Sequence, residues 1–440
     1  MPTEEDLNNL RLKIIKLTKK YAIIKEKREF IPGKTWILYS GRFFGSEEYE
    51  SMVEASLDGW VTEGKYTELF ENNISQYLGV GYSSFVNSGS SANLIAISSL
   101  TSNYLKERRL NLGNEVITVA AGFPTTLNPI IQNGLIPGFV DVDLSTYNAN
   151  PHNLKDAISD NTKAIILAHT LGNPFDVYAI KKLATENGLF LIEDNCDALG
   201  SEYDGKKTGS FGDFSTLSFY PAHQITTGEG GAISTNNEIL NKISKSFRDW
   251  GRDCYCKPGA YNTCGIRFSQ QFAELPFGYD HKYVYSHIGY NLKATDLQAA
   301  LGLAQIKRLD GFVQRRRKNF SALYKGLKQY SNLIILPKKT HNSNPSWFSF
   351  PITIRDSTGF KRADIVNYLE KNKIATRMLF AGNITKQSAY LDIKKRIYGN
   401  LLNTDKIMND SFFVGVYPGI GEEQINYMIE VFHNFFKKYN

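Results

Sequence analysis

From about residue 85 to 250, short runs rich in β-branched residues alternate with segments of helical periodicity. The four clearest runs cover 115–120, 136–142, 163–169 and 189–196. A helix between two strands of one sheet allows the second strand to run in the same direction as the first. This alternation therefore predicts an α/β fold with a mainly parallel central sheet.

The remainder of the chain departs from this pattern. Residues 1–45 are expected to form an N-terminal arm, and 46–320 a large α/β domain. Within that domain, 251–285 are rich in Gly, Tyr, Phe and Cys, which predicts an irregular insert. A long helical stretch is predicted over 294–330. Residues 321–440 are expected to form a smaller α+β domain.

Charge and hydropathy limit the possible partners. The 440 residues carry a formal net charge of +7, which favours anionic small molecules. Lys and Arg are scattered, and the dense run 315–318 follows a helical pattern, so a nucleic-acid partner is disfavoured. No apolar run reaches the roughly 18 residues needed to span a membrane. The N-terminus lacks the apolar core of a signal peptide, and a cytoplasmic protein is expected.

The stretch SFYPAHQITTGEGGAIS at 218–234 reads like the lysine-bearing loop of a vitamin B6 enzyme. His223 stands where the Schiff-base lysine is expected, and the stretch contains no lysine. Because a covalent imine needs a primary amine, the loop predicts a B6 cofactor that is bound noncovalently, in its amine form. A structural histidine is the alternative.

Other fragments suit the same cofactor. NSGSSANL at 87–94 is a Gly/Ser turn that leads into a helix, and backbone N–H groups at a helix N-terminus bind phosphate. Asp194, at a predicted strand end, could pair with the pyridine nitrogen, Phe123 could stack on the ring, and Ser218 could add a hydroxyl to the phosphate site. A capping aspartate and a core phenylalanine are the ordinary alternatives.

The four cysteines, Cys196, Cys254, Cys256 and Cys264, are spaced C-x57-C-x1-C-x7-C. Four thiols, three of them clustered, suggest one tetrathiolate site. The spacing C-x1-C is unusual for zinc and is not a ferredoxin spacing, so it favours iron–sulfur only slightly. Cys196 follows Asp194 by two residues. On a strand both side chains would share one face, which would place the thiolate site near the cofactor.

The chain resembles the DegT-type family of sugar-nucleotide aminotransferases and dehydratases over nearly its whole length. The resemblance lies in 58–71, 88–93, 123–129, 192–201, 218–233 and 289–305. It implies the fold of the aspartate aminotransferase-like (fold type I) enzymes that use pyridoxal phosphate (PLP), with 46–320 as the cofactor-binding domain.

Residue roles follow from the same resemblance. It assigns the phosphate to Gly89, Ser90, Ser91 and Ser218, the pyridine nitrogen to Asp194, the ring face to Phe123, and the neighbouring subunit's phosphate to Asn291. The active unit would therefore be a homodimer. Asp197 stands where many members have Gln, and its contacts are not predicted. Candidates for substrate contact are Thr62, Tyr66, Tyr220 and Arg377.

Histidine at the lysine position together with the four cysteines resembles the iron–sulfur branch of this family. That branch implies pyridoxamine phosphate (PMP), a 2Fe–2S cluster on the four cysteines, and a separate NAD(P)H-dependent flavin iron–sulfur reductase. The implied reaction is removal of the C3 hydroxyl from a nucleotide-linked 4-keto-6-deoxyhexose for 3,6-dideoxysugars of lipopolysaccharide O-antigen. CDP is the implied nucleotide, with dTDP and GDP left open. His223 would move the protons.

Two other functions remain open at this stage. A transaminase needs a lysine to regenerate the aldehyde form of its cofactor, and replacement of that lysine should cripple its turnover. A simple dehydratase or a noncatalytic binding protein of the same fold could instead hold structural zinc on its cysteines.

Overall fold

The computed structural model describes residues 3–27, 29–256 and 259–439. The helices are α1 Glu4–Lys25, α2 Ser46–Asp58, α3 Lys65–Leu78, α4 Gly89–Leu100, α5 Pro124–Gln132, α6 Pro151–Ala157, α7 Val177–Glu186, α8 Glu238–Arg248, α9 Asp296–Ile306, α10 Leu309–Leu327, α11 Arg362–Lys371, α12 Leu402–Asp410 and α13 Glu422–Phe436. The strands are β1 Tyr82–Val86, β2 Glu115–Val119, β3 Ile136–Val140, β4 Thr162–Ala168, β5 Phe190–Asp194, β6 Glu202–Tyr203, β7 Lys206–Lys207, β8 Phe214–Ser218, β9 Gly231–Thr235, β10 Ile334–Ile335, β11 Ser343–Asn344, β12 Ser349–Ile354, β13 Thr376–Arg377, β14 Arg396–Ile397 and β15 Ser411–Gly415.

The central sheet has eight strands in the order β1-β9-β8-β5-β4-β2-β3-β14. Strand β9 pairs antiparallel with both of its neighbours. The pairs from β8 across to β14 are parallel. The predicted mainly parallel α/β sheet is therefore confirmed, and the four predicted runs correspond to β2, β3, β4 and β5.

This topology gathers several loops at one edge of the sheet. Because β1 and β8 each run antiparallel to β9, they run parallel to one another. The carboxyl ends of β1, β2, β4, β5 and β8 consequently meet at the same edge. In open α/β sheets this is the edge where ligands bind.

The sheet is buried on both faces by two apolar clusters. Alternate side chains of a strand point to opposite faces, so Ile165 lies in one cluster and Ile166 in the other. Helices α6 and α7 supply Leu154 and Ile180 to the first cluster. Helices α4, α5 and α8 cover the second. Burial on both faces explains why the strand runs are continuously apolar.

The helical stretch predicted over 294–330 corresponds to two successive helices, α9 and α10. Lys307 and Arg308 lie between the two helices and keep right-handed backbone angles, with Arg308 at φ −100° and ψ −4°. The Arg308 side chain turns to Glu48, with Nη1 2.5 Å from Oε1.

The C-terminal region forms a second sheet in the order β10-β12-β15-β13, with a core of its own. Strand β14, however, joins the central sheet beside β3. The proposed boundaries 1–45, 46–320 and 321–440 stay a prediction. Of the insert 251–285, Lys257 and Pro258 lie outside the described residues. No helix in the described ranges is long and apolar enough to cross a membrane.

Candidate active site

A cavity of about 480 Å³ lies at the edge where the strand ends meet. Loops after β1, β2, β4, β5 and β8 line its floor, and side chains from the C-terminal third of the chain line its outer wall. Nine of the predicted site residues lie in its lining: Gly89, Ser90, Phe123, Asp194, Cys196, Ser218, Tyr220, His223 and Arg377.

The N-terminus of α4 faces this cavity. Ser88 caps the helix, and its hydroxyl accepts the Ser91 N–H at 3.1 Å. The N–H groups of Gly89 and Ser90 then remain for a ligand, as first-turn N–H groups have no partner within a helix. A Cβ atom at Gly89 would lie 2.5 Å from the Ser218 Cβ. Only glycine allows the helix start to approach β8 this closely.

Asp194 ends β5 and is 5% exposed. Its Oδ2 accepts the Asn93 side-chain amide at 2.9 Å and the Thr126 hydroxyl at 2.7 Å. Its Oδ1 accepts the Cys196 N–H at 3.2 Å. Asn93 is fixed in turn by the Thr216 hydroxyl, which donates to it at 2.6 Å. The carboxylate is thus held by several donors while it borders the cavity.

His223 also lines the cavity, and its ring packs against Phe348 at 5.4 Å between centroids. Its Nδ1 is buried without a hydrogen-bond partner and lies 3.5 Å from the Asp197 carboxylate. Burial and the charge of Arg316 lower the pKa of His223 to about 4. The ring is therefore neutral, and able to accept a proton, throughout the physiological range.

Arg316 lies behind His223 and is completely buried. Its guanidinium donates to the carbonyl of His223 at 2.9 Å and to those of Trp347 and Phe348 at 3.1 and 3.0 Å. Asp197 accepts the Leu171 N–H at 3.3 Å. Burial and the Asp194 charge raise the pKa of Asp197 to about 7.

The outer wall of the cavity is largely aromatic. Phe123 and Tyr220 are 51% and 50% exposed at its mouth. The Arg377 guanidinium stacks over Tyr39 at 4.1 Å and donates to its neighbour's carbonyl, Thr376, at 2.7 Å. Further aromatic lining comes from Phe348, Phe380 and Phe413.

Four residues predicted to contact the cofactor or the substrate lie outside the cavity lining of this chain. The hydroxyl of Ser91 pairs with Ser88, and the phenol of Tyr66 donates to Asp58 at 2.7 Å. The carbonyl of Thr62 accepts the Asp296 N–H. Asn291 is exposed and forms a backbone bridge with Asp249.

The cysteines are divided between two places. On the insert, the Thr263 hydroxyl donates to the Cys256 Sγ at 3.0 Å, and the Cys264 Sγ lies 3.7 Å from the His281 Nδ1. Cys196 instead lies in the cavity wall beside Asp194. Burial and Asp194 raise its pKa well above the usual value. The described residues contain no group of three or more His, Cys, Asp or Glu side chains placed to hold a metal ion.

Cys196 lies beside Asp194 as predicted, but not because the two residues alternate along a strand. Strand β5 ends at Asp194, so alternation along a strand does not extend to Cys196. The two residues are close because a turn follows, in which the Cys196 N–H reaches back to the carboxylate.

Sequence reasoning did not identify several residues of the site. Asn93 could have been found, because it lies four residues after Gly89 and hence on the same face of α4. Thr126 lies near the start of α5, only three residues after Phe123, and Phe123 was itself a predicted site residue. Arg316 and Phe380 gave no local signal, since their neighbours come from distant parts of the chain.

The chain is similar to known proteins over nearly its whole length. The sequence model of the DegT/DnrJ/EryC1/StrS aminotransferase family matches residues 44–433. Lipopolysaccharide biosynthesis protein RfbH of Salmonella typhimurium is 52% identical over 98% of both chains. The dTDP-4-dehydro-2,6-dideoxy-D-glucose 3-dehydratase of Saccharopolyspora spinosa is 50% identical, over 97% of this chain and 92% of the relative.

Solved structures agree with these matches. GDP-4-keto-6-deoxy-D-mannose-3-dehydratase from E. coli, solved with bound hydrated PLP, superposes with a TM-score of 0.81 at 28% identity. The match covers 90% of this chain and 99% of the other. The predicted fold type I is confirmed.

Proposed function

This chain belongs to the DegT/DnrJ/EryC1/StrS aminotransferase family, and we propose that it is a PMP-dependent sugar-nucleotide 3-dehydratase. Its substrate would be CDP-4-keto-6-deoxy-D-glucose or a closely similar 4-keto-6-deoxyhexose, converted toward the 3,6-dideoxysugars of lipopolysaccharide O-antigen. The observation that carries the proposal is His223, which lines the cavity at the lysine position together with Gly89, Asp194 and Ser218. The name of the Saccharopolyspora relative supports the reaction type.

The cavity fits PMP. When bound, the cofactor supplies an amine for the keto group of the sugar and a ring that accepts electrons. The N–H groups of Gly89 and Ser90, with the Ser218 hydroxyl, would hold its phosphate. Asp194 would pair with the pyridine nitrogen, and the donors that surround its carboxylate would keep it oriented. Phe123 would cover the ring.

His223 would move the protons of the reaction. As a neutral base it would remove a proton from the C4′ carbon of the cofactor. The protonated ring is destabilised by burial and by Arg316, the same causes that lower its pKa. His223 would therefore return the proton readily, to the C3 oxygen that leaves as water. Arg316 would keep the base in place through the His223 carbonyl.

The substrate would enter through the aromatic wall. Arg377 is the one Lys or Arg among the described cavity-lining residues, so it is the candidate partner for the diphosphate. Tyr220, half exposed at the mouth, is a candidate for contact with the sugar. Thr62 and Tyr66 lie outside the lining of this chain, and for them the proposal rests on sequence alone.

The redox part of the proposal, a 2Fe–2S cluster on Cys196, Cys254, Cys256 and Cys264, rests on the number and spacing of the thiols. The structure fits it only in part, because Cys196 lies in the cavity wall and the other three lie on the insert. Iron together with acid-labile sulfide in anaerobically purified protein is expected if the four cysteines hold the cluster. Zinc without iron would refute it.

Partners follow from the same proposal. A cluster would need an external electron donor, for which we propose a NAD(P)H-dependent flavin iron–sulfur reductase. We also propose a homodimer in which Asn291 reaches the phosphate of the neighbouring subunit. The exposure of Asn291 outside this chain's own cavity supports that arrangement.

A transaminase is the second candidate, and the cavity argues against it. The described lining contains no lysine. The deciding experiment supplies PMP and CDP-, dTDP- or GDP-linked 4-keto-6-deoxyhexose, and measures loss of water from the sugar by mass spectrometry. Wild-type protein should dehydrate one of the three, and His223→Asn should not. Efficient transamination from glutamate without dehydration would refute the proposal.

A further inference from the structure

Phe380 lines the outer wall of the cavity with its backbone in the left-handed region, at φ 47°. A bulky side chain rarely adopts this conformation, because its Cβ crowds the following carbonyl oxygen. Such conformations persist only where the surrounding structure enforces them, and they cluster at active sites and ligand clamps. The position of the Phe380 side chain therefore needs a reason.

Hydrogen bonds on the C-terminal side of Phe380 enforce the conformation. The Ala381 N–H donates to the Gly122 carbonyl at 3.3 Å, and the Ile384 N–H to the Ala120 carbonyl at 3.0 Å. The Asn383 side chain donates to Asp405 at 2.7 Å. The segment is thus tied to the loop that leads into Phe123 after β2.

The ring of Phe380 contacts the ring of Phe123 directly. The two centroids are 5.8 Å apart and the planes make an angle of 84°, an edge-to-face pair. Phe413 supports Phe380 from behind at 6.4 Å. Phe123 is half exposed, and among the described residues Phe380 is the one aromatic side chain paired with it.

We propose that Phe380 is a positioning residue that fixes the ring of Phe123 over the bound cofactor. The left-handed backbone directs the Phe380 ring toward Phe123, and the hydrogen bonds to Gly122 and Ala120 offset its conformational cost. Glycine would suit this backbone better but would leave Phe123 free to turn. The inference rests on the proposed function, since it concerns how Phe123 covers the pyridine ring of a bound B6 cofactor.

Four variants test the inference. Phe380→Gly and Phe380→Ala remove the ring, Phe380→Tyr keeps it, and Ser357→Gly is the control. Ser357 is exposed and also has a left-handed backbone, at φ 60°, but it lies outside the cavity lining. Measurements are the thermal midpoint without cofactor, the Kd for PMP from a fluorescence titration, and the circular dichroism of bound PMP.

Both ring-deletion variants should bind PMP about three- to tenfold more weakly, which is the change in Kd expected from the loss of one aromatic pair. Both should also lose the circular dichroism of the bound cofactor. Phe380→Tyr should bind like the wild type. Phe380→Gly should melt about 1–2 °C above Phe380→Ala, because glycine adopts φ > 0 without strain. Ser357→Gly should raise the midpoint similarly and leave the Kd unchanged.

Two results would overturn the inference while the proposed function stands. One is PMP binding and dichroism unchanged in Phe380→Gly and Phe380→Ala. The other is an alanine variant that melts above the glycine variant. A wild-type protein that does not bind PMP would instead overturn the proposed function, and the role of Phe380 with it.

Discussion

Replacing Gly89 by alanine should destabilise the protein and weaken cofactor binding through one steric conflict. The new Cβ would lie 2.5 Å from the Ser218 Cβ and 3.0 Å from both the Ser218 Cα and the Cys196 Sγ. Since a backbone atom is among these neighbours, relief requires α4 to move away from β8. Overpacking of this kind costs about 1–3 kcal/mol.

The same movement carries the N–H groups of Gly89 and Ser90 away from the phosphate. A hydrogen bond to a charged group contributes about 1.5–3 kcal/mol. Loss of one such bond should raise the Kd for PMP roughly 10- to 150-fold. The change in affinity should therefore accompany the change in stability.

Urea unfolding of the cofactor-free protein and a PMP titration measure the two effects. Gly311→Ala is the matched control, because Gly311 lies on the exposed side of α10 with no heavy atom within 4 Å of a Cβ there. Gly311 lies in the first turn of α10, and its replacement by alanine should stabilise the protein by up to about 0.5–1 kcal/mol. A Gly89→Ala protein that gains stability as Gly311→Ala does, or that binds PMP normally, would refute the steric argument.

Two further predictions concern charge. Asp194→Asn should weaken PMP binding tenfold or more, because the amide lacks the charge that pairs with the pyridine nitrogen. Asp141→Asn is the control, since Asp141 is also buried and accepts a hydrogen bond from Thr404. The control variant should lower stability in urea unfolding but leave the PMP titration unchanged. In metal-free protein, iodoacetamide should alkylate Cys256 first and Cys196 last, as mass spectrometry of peptides would show. Burial opposes ionisation of Cys256, but hydrogen bonds from Thr263 and Cys254 outweigh it and lower its pKa to about 7. Prior reaction at Cys196 would contradict this order.

Local sequence signals were sufficient for the sheet and for the floor of the cavity. Strands β2 to β5 are continuous apolar runs, and Gly89, Asp194 and Ser218 follow or end strands of the central sheet. The parallel topology alone brings those positions together. The outer wall depends on contacts between segments far apart in sequence. Sequence periodicity predicts that Arg316 belongs to a helix, and Phe380 is apolar by residue type. Neither signal identifies the distant segment that the side chain contacts.

Replacement of His223 by lysine should allow a covalent imine with PLP. The environment favours it, because burial and the Arg316 charge, which lower the pKa of His223, would also disfavour a protonated lysine amine. A neutral amine is the nucleophile that attacks an aldehyde. Borohydride reduction followed by mass spectrometry should find PLP attached at residue 223 in the variant and no attachment in the wild type. A folded His223→Lys protein that binds PLP but traps no adduct would show that position 223 does not face the aldehyde carbon, and the base assigned to His223 would then be wrong.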